Sequence, residues 1–243
     1  MTIVSNNYLH FARTMLQSAK QQHPEYALYC VIVDRNLSHA VALSSEFEAI
    51  SFEKLNLPLG EEFLFQYNIL ELNTAVKPWT IEYLFERGYD NVIYVDPDIC
   101  FYGRMTDVEQ MLSTNTDIVL TPHLLAPVTD DKQPRELDIR RAGTYNFGFC
   151  ALRDSTNTRK FLRWWQSKLT RDCVNDPDRG LFVDQSWIDL VPGLFDNVGI
   201  LRHKGYNVAY WNIAQRPLTK RDAHRYFVDD DPLVFFHFSG LDP

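Results

Sequence analysis

Residues 91–103, NVIYVDPDICFYG, decide how this chain is read. Val92, Ile93, Tyr94 and Val95 are four consecutive apolar residues, rich in the types that favour a buried strand. Asp96 and Asp98 follow at once, separated only by Pro97. A carboxylate at a strand end costs little if it projects into solvent, so an isolated DxD reads as a solvated turn. Here Pro97 stiffens a bend that leaves a buried run, and the two carboxylates can converge on one hard cation. Mg²⁺ and Mn²⁺ prefer such oxygen ligands, usually shared with substrate phosphates.

Upstream, residues 75–85 carry a helical stripe that stops at Gly88, and the apolar run 27–33 reads as a buried strand ending at Asp34. Residues 35–60 are weakly patterned. Phe11, Ala12, Met15, Leu16 and Ala19 recur at helical spacing behind an opening strand and turn, TIVSNN. The order strand, helix, strand, helix, strand predicts an α/β fold with a mainly parallel central sheet flanked by helices. Ligands then collect at the carboxyl ends of the strands, where Asp34 and Asp96 sit.

Downstream, a helix is expected around 105–113, strands at 117–121 and 147–153, and an amphipathic helix at 156–169. The apolar face of that helix, Phe161, Leu162, Trp165 and Leu169, makes the adjacent tryptophans packing residues. The polar segment 124–144 shows no clear period and reads as a mobile active-site loop or a plain surface excursion. VGILR, NVAYWNI and LVFFHFSG in the last third read as strands.

With 243 residues, 45% of them hydrophobic, and no repeat or linker, a single domain over 1–243 is expected. The abrupt stop at Pro243 raises the expectation that it is a piece of a longer chain. A net charge of −8 argues against nucleic acid or anionic lipid as a nonspecific partner. No run approaches the ~20 apolar residues of a membrane span, and the N-terminus lacks signal-peptide features, so a cytoplasmic location is expected, at the inner face of the membrane if glycans are assembled there. Cys30, Cys100, Cys150 and Cys173 show no CxxC spacing and read as reduced and structural.

Two enzyme classes place DxD after a buried strand. Haloacid-dehalogenase phosphatases use the first Asp as nucleophile, and Asp96, Thr121, Lys204 or Lys220, and the pair Asp229 and Asp230 supply that order of parts. Against it, Ile99 and Cys100 replace the Gly and hydroxyl of the usual DxDGT loop, and about 90 residues of α/β pattern precede it.

The second class fits more of the chain. TIVSNNYLHFARTMLQSA, VKPWTIEYLFERGYDNVIYVDPDI, YNFGFCAL, VDQSWID and FFHFSG stand in the order of the GT-A nucleotide-sugar glycosyltransferases. The chain most resembles the retaining family 8 group, which includes glycogenin and bacterial galactosyltransferases. The resemblance implies a divalent ion, Mn²⁺ or Mg²⁺, bound by Asp96, Asp98 and His237, although a lone His in VFFHFSG would otherwise read as a core residue. It implies that Lys77 lies near the donor phosphates, that Ser5, Asn6 and Tyr8 hold a nucleotide, usually uridine, and that Asn146, Asp184 and Gln185 meet the sugar. The reaction implied is sugar transfer from a nucleotide-sugar donor to a glycan or other acceptor, with retention, in surface-glycan assembly. A domain that binds sugar nucleotides without catalysis is the non-enzyme alternative. The chain departs from the pattern in two places. NFG replaces NSG, so Phe147 is expected to reshape the donor pocket. HFSGLDP lacks the terminal phosphate-contacting lysine of HFxGxxK, leaving Arg140, Arg141 or Lys77 to replace it.

Overall fold

The computed structural model describes residues 1–36, 46–131, 133–221 and 225–240. Strands β1 (Thr2–Val4), β2 (Tyr29–Ile32) and β3 (Glu48–Ser51) pair in parallel in that order. β4 (Asn91–Val95) runs through the 96–98 turn into β5 (Ile99–Phe101), and β6 (Ile118–Pro122) and β7 (Tyr145–Arg153) follow. After the small hairpin of β8 (Asn175–Asp176) and β9 (Leu181–Phe182), β10 (Val198–Ile200) completes a second sheet ordered β10-β6-β7-β4.

The two sheets meet along β1 and β4. The Met1 N–H donates to the Ile93 carbonyl at 2.7 Å and the Val95 N–H donates to the Met1 carbonyl at 3.0 Å, the alternation of a parallel pair. Across this surface only β7 runs against its neighbours β4 and β6, so the mainly parallel expectation holds.

The helices form for local reasons that the sequence states. α1 (Leu9–Gln22) buries Ala12, Met15, Leu16 and Ala19. After α2 (Glu61–Phe65), α3 (Ile69–Ala75) opens with a capping box in which Asn68 and Glu71 exchange hydrogen bonds of 3.0 Å. α4 (Lys77–Glu86) carries Pro78 in its first turn, where a missing N–H costs nothing. α5 (Thr106–Ser113) and α6 (Glu136–Ala142) precede α7 (Thr156–Leu169), whose first turn is capped by the Ser155 hydroxyl accepting the Thr158 N–H at 3.0 Å. α7 buries Phe161, Leu162, Trp165 and Leu169, as its periodicity predicts. Trp164 packs on Trp187 and Phe195, so both tryptophans are structural. Each such fully buried large side chain contributes roughly 1.5–3 kcal/mol.

Three expectations need correction. Segment 35–60 contains β3, whose two central-facing residues Ile50 and Ser51 are buried; residues 37–45 lie outside the described residues. Segment 124–144 contains α6, missed because seven residues are too few to show a period. NVAYWNI is not a strand: Val208 makes one isolated bridge to Phe236 and the rest folds as turns, with Asn212 Oδ1 accepting the Ala209 N–H at 3.0 Å. The remaining strands are β11 (Leu218–Lys220), β12 (Tyr226–Val228) and β13 (Asp231–Pro232), a small antiparallel sheet, and β14 (Phe235–His237), which pairs with β5.

Candidate metal centre and donor cleft

The turn that carries the two aspartates is tied on both sides. The Asp96 N–H donates to the Gly148 carbonyl at 2.7 Å, and the Ile99 N–H closes the turn on the Asp96 carbonyl at 3.2 Å. The β6–β7 pairing jumps from Leu120 opposite Cys150 to Thr121 opposite Asn146, so residues 147–149 bulge toward the turn. β5 and β14 run antiparallel with His237 opposite Ile99, and the Phe238 N–H donates to the Asp98 carbonyl at 2.8 Å. That single ladder brings a residue from the far end of the sequence beside the DPD turn.

One ligand atom from each of Asp96, Asp98 and His237 lies within 4.8 Å of the others. His237 Nε2 is 3.1 Å from Asp98 Oδ1 and 3.9 Å from Asp96 Oδ2. The other ring nitrogen, Nδ1, faces the amide oxygens of Asn146 at 3.2 Å and Asn207 at 3.3 Å. Burial raises the Asp98 carboxyl, but the hydrogen bond and charge of His237 outweigh it and hold Asp98 below the usual carboxylate range. Gly148 makes the cluster sterically possible: a Cβ there would lie 2.5 Å from His237 Cε1 and 2.6 Å from Asp96 Oδ2. Two carboxylates and an imidazole in such a cradle fit a hard divalent ion that keeps open positions for phosphate oxygens.

Lys77 is neither a surface residue nor free in the cleft. It is 2% exposed, with Nζ 2.9 Å from Asp184 Oδ2, 3.9 Å from Asp96 Oδ1, 3.1 Å from the Phe147 carbonyl, and 4.3 Å from the centre of the Tyr94 ring. Burial works against its charge, yet Asp184 and Asp96 outweigh that and raise its pKa. Asp184 is pushed up to about 6 because burial exceeds the pull of Lys77. The pair is ionised at neutral pH, because Lys77 also has the second carboxylate, a carbonyl and an aromatic face. Val183 sits at φ 43, a rare conformation for a β-branched residue, and it is the residue just before Asp184.

Gln185 is a brace. Its Nε2 donates to the Ala142 carbonyl at 2.8 Å and its Oε1 accepts the Phe147 N–H at 2.8 Å, tying α6 to β7. Asn146 Nδ2 faces Gln185 Oε1 at 3.4 Å and His123 Nε2 at 3.3 Å. His123 is buried, and burial pulls its pKa down to about 4, so it is neutral.

These residues floor a cleft of about 660 Å³, a size suited to a small ligand. Ser5, Tyr8, Lys77, Asp96, Asp98, Asn146, Asp184, Gln185 and His237 all line it. Asn6 does not: its Nδ2 donates to the Asn36 carbonyl at 2.9 Å and its N–H to Asp34, while Asn7 takes the place in the wall. Arg140 and Arg141 are exposed, and α6 contributes Asp138, Ile139 and Ala142 to the wall instead. The Phe147 ring packs edge-on against Trp165, with centroids 4.9 Å apart, which anchors it in the core. Residues 241–243, where the departure from HFxGxxK falls, are outside the described residues.

The phosphatase set does not assemble. Lys204 pairs with Asp229 at 2.6 Å on the surface, and none of Thr121, Lys204, Lys220, Asp229 or Asp230 lines the cleft. A second titratable cluster, His23 with Glu25 and Glu109, is an ion-pair network: His23 Nε2 accepts the Met105 N–H at 3.1 Å, and Arg104 already pairs with both glutamates. The four cysteines are free.

Tyr94, His123, Asn207 and Gly148 belong to the site without having been singled out. A glycine inside an apolar strand signals close approach of another group, which would have found Gly148. The Tyr94 hydroxyl donates to Asp96 Oδ1, an i, i+2 relation across a turn that spacing alone does not reveal.

The architecture is that of the GT-A glycosyltransferases, as the order of motifs implied. The galactosyltransferase LgtC, solved with donor and acceptor sugar analogues, matches over 99% of this chain and 87% of its own, with a TM-score of 0.57 at 15% identity. Mouse xyloside xylosyltransferase 1 matches over 100% and 97%, with a TM-score of 0.58 at 13% identity. YfnF, an uncharacterised protein of Bacillus subtilis (strain 168), is 25% identical over 250 residues, covering 98% of this chain and 80% of YfnF. No family model matches the chain. Among the described residues no helix is long and apolar enough to cross a membrane.

Proposed function

We propose that this chain is a divalent-metal-dependent glycosyltransferase that moves a sugar, with retention, from a UDP-sugar to a glycan or other acceptor in surface-glycan synthesis. The observation that carries the reading is the convergence of Asp96, Asp98 and His237 at the carboxyl end of β4. Among the described residues, a diphosphate entering the cleft meets one Lys or Arg in the wall, Lys77, and that ammonium is already committed to Asp184. Asp96, Asp98 and His237 would hold Mn²⁺ or Mg²⁺, which when bound supplies the positive charge that a departing diphosphate requires.

The chain's own residues divide the remaining work. Lys77 holds Asp184 and steadies Asp96 through its flank, so the carboxylates keep their places as ligands come and go. Asp184, Gln185 and Asn146 form the floor beside the ion site, where a carboxylate and two amides suit sugar hydroxyls. Ser5, Asn7 and Tyr8 offer the nucleotide end, with the exposed Tyr8 ring already stacked on Phe11 at 5.3 Å between centroids.

UDP titrations with and without Mn²⁺ test the reading. Mn²⁺ is expected to raise UDP affinity by more than tenfold, about 1.4 kcal/mol, and Asp98→Ala to abolish the gain. Equal UDP binding with and without Mn²⁺ counts against the metal-dependent reading. Metal-dependent UDP binding with no UDP released from any donor sugar favours the catalytically silent domain instead.

A further inference from the structure

We propose that Asn207 is a positioning residue that, with Asn146, fixes the aim of the His237 imidazole; this rests on the reading of His237 as an ion ligand. An amide oxygen can only accept a hydrogen bond, so two of them on Nδ1 keep the proton there. The ring is thereby turned so that Nε2 faces Asp98 and Asp96, which makes it the nitrogen that would meet a cation held between them.

Asn207 is built into place. It is fully buried and sits at φ 52, in the left-handed region that Asn tolerates and most side chains avoid. Its carbonyl accepts from Asn212 Nδ2 at 2.9 Å and from the Arg216 guanidinium at 3.4 Å. The same Arg216 nitrogen donates to the Tyr206 carbonyl at 2.7 Å and faces that of Lys204 at 3.4 Å. Arg216 is 2% exposed and, among the described residues, has no carboxylate partner. A buried guanidinium that meets carbonyls through one nitrogen, with its Nε left unpaired, is costly to keep. What it secures is the turn that ends in Asn207.

The second amide is braced from the same cluster. Asn212 Nδ2 also donates to the His123 carbonyl at 3.0 Å, and the His123 ring meets Asn146 Nδ2. The His237 N–H donates to the Val208 carbonyl at 2.8 Å, one residue beyond Asn207. The segment 207–213 therefore supports the imidazole from behind, at its backbone and at its ring.

Free-Mn²⁺ EPR titration of the full chain tests this with two substitutions. Asn207→Gly tolerates the left-handed backbone and removes the acceptor; Asn207→Asp keeps a short acceptor at the same place. Asn207→Gly is expected to weaken Mn²⁺ binding by about tenfold or more, and Asn207→Asp to bind at least as tightly as the wild type. Unchanged Mn²⁺ affinity in Asn207→Gly, or an equal loss in both variants, overturns the inference. His237→Ala separates the two levels: if it weakens Mn²⁺ binding while Asn207→Gly does not, only the role of Asn207 falls. If His237→Ala leaves Mn²⁺ binding untouched, the ion reading falls and this inference with it.

Discussion

Replacing Gly148 by alanine adds a single methyl group at the point where the site is tightest. The new Cβ would stand 2.5 Å from His237 Cε1 and 2.6 Å from Asp96 Oδ2, with Asn146 Oδ1 at 3.0 Å. Ordinary contact between such atoms is about 3.5–4.0 Å, so imidazole and carboxylate must each retreat by about 1 Å. Neither is a loose side-chain tip: His237 is 3% exposed and held at both ends, and the Asp96 backbone is bonded to Gly148 itself. A metal site tolerates ligand displacements of only about 0.2 Å, so Gly148→Ala should weaken Mn²⁺ binding by at least tenfold. Overpacking of this kind also costs about 1–3 kcal/mol in the metal-free protein. The assay is a Mn²⁺ titration beside a urea melt, with Gly193→Ala as control, because a Cβ at Gly193 meets nothing within 4 Å. Wild-type Mn²⁺ affinity in Gly148→Ala would refute the claim that the two ligands and this backbone form one close-packed cradle.

Two further outcomes follow from the buried charges. Lys77→Met leaves Asp184 without its ammonium and should destabilise the fold by about 3–5 kcal/mol, whereas Lys77→Met with Asp184→Leu should recover most of that stability without restoring donor binding; chemical denaturation of both variants decides it. His123 binds a proton in the unfolded chain below about 6.5 but in the folded chain only below about 4. Between these values the unfolded state holds more protons, so stability rises with pH, by about 3 kcal/mol over the interval. Urea melts between pH 4 and 7 should show this slope, and His123→Asn should lose that share of it.

The periodic elements were legible because burial writes them directly into the order of residues. The α7 stripe and the β4 run are read at sight, and so is the turn after Val95. The site was legible at its two aspartates, whose placement is local. His237 was not, because what brings it beside the aspartates is the antiparallel register of β5 and β14, and only the resemblance pointed to it. Asn6 and Asn7 could not be told apart from position alone, since a short 3₁₀ turn rotates successive side chains and Asp34 captures the Asn6 N–H. Gln185 was legible through the resemblance as a polar group in VDQSWID but not as a brace between α6 and β7. α6 itself escaped because its seven residues follow Pro134 and carry mostly charges.

The ladder between β5 and β14 has a consequence for how the protein matures. A partly folded chain offers the two aspartates from one neighbourhood, yet lacks the imidazole until β14 has docked, so an ion held as proposed would report completion of the tertiary structure. The dependence runs both ways. An ion at one hundred times its dissociation constant would favour the docked form by about 2.7 kcal/mol, making it a clasp on an otherwise thin, three-residue edge.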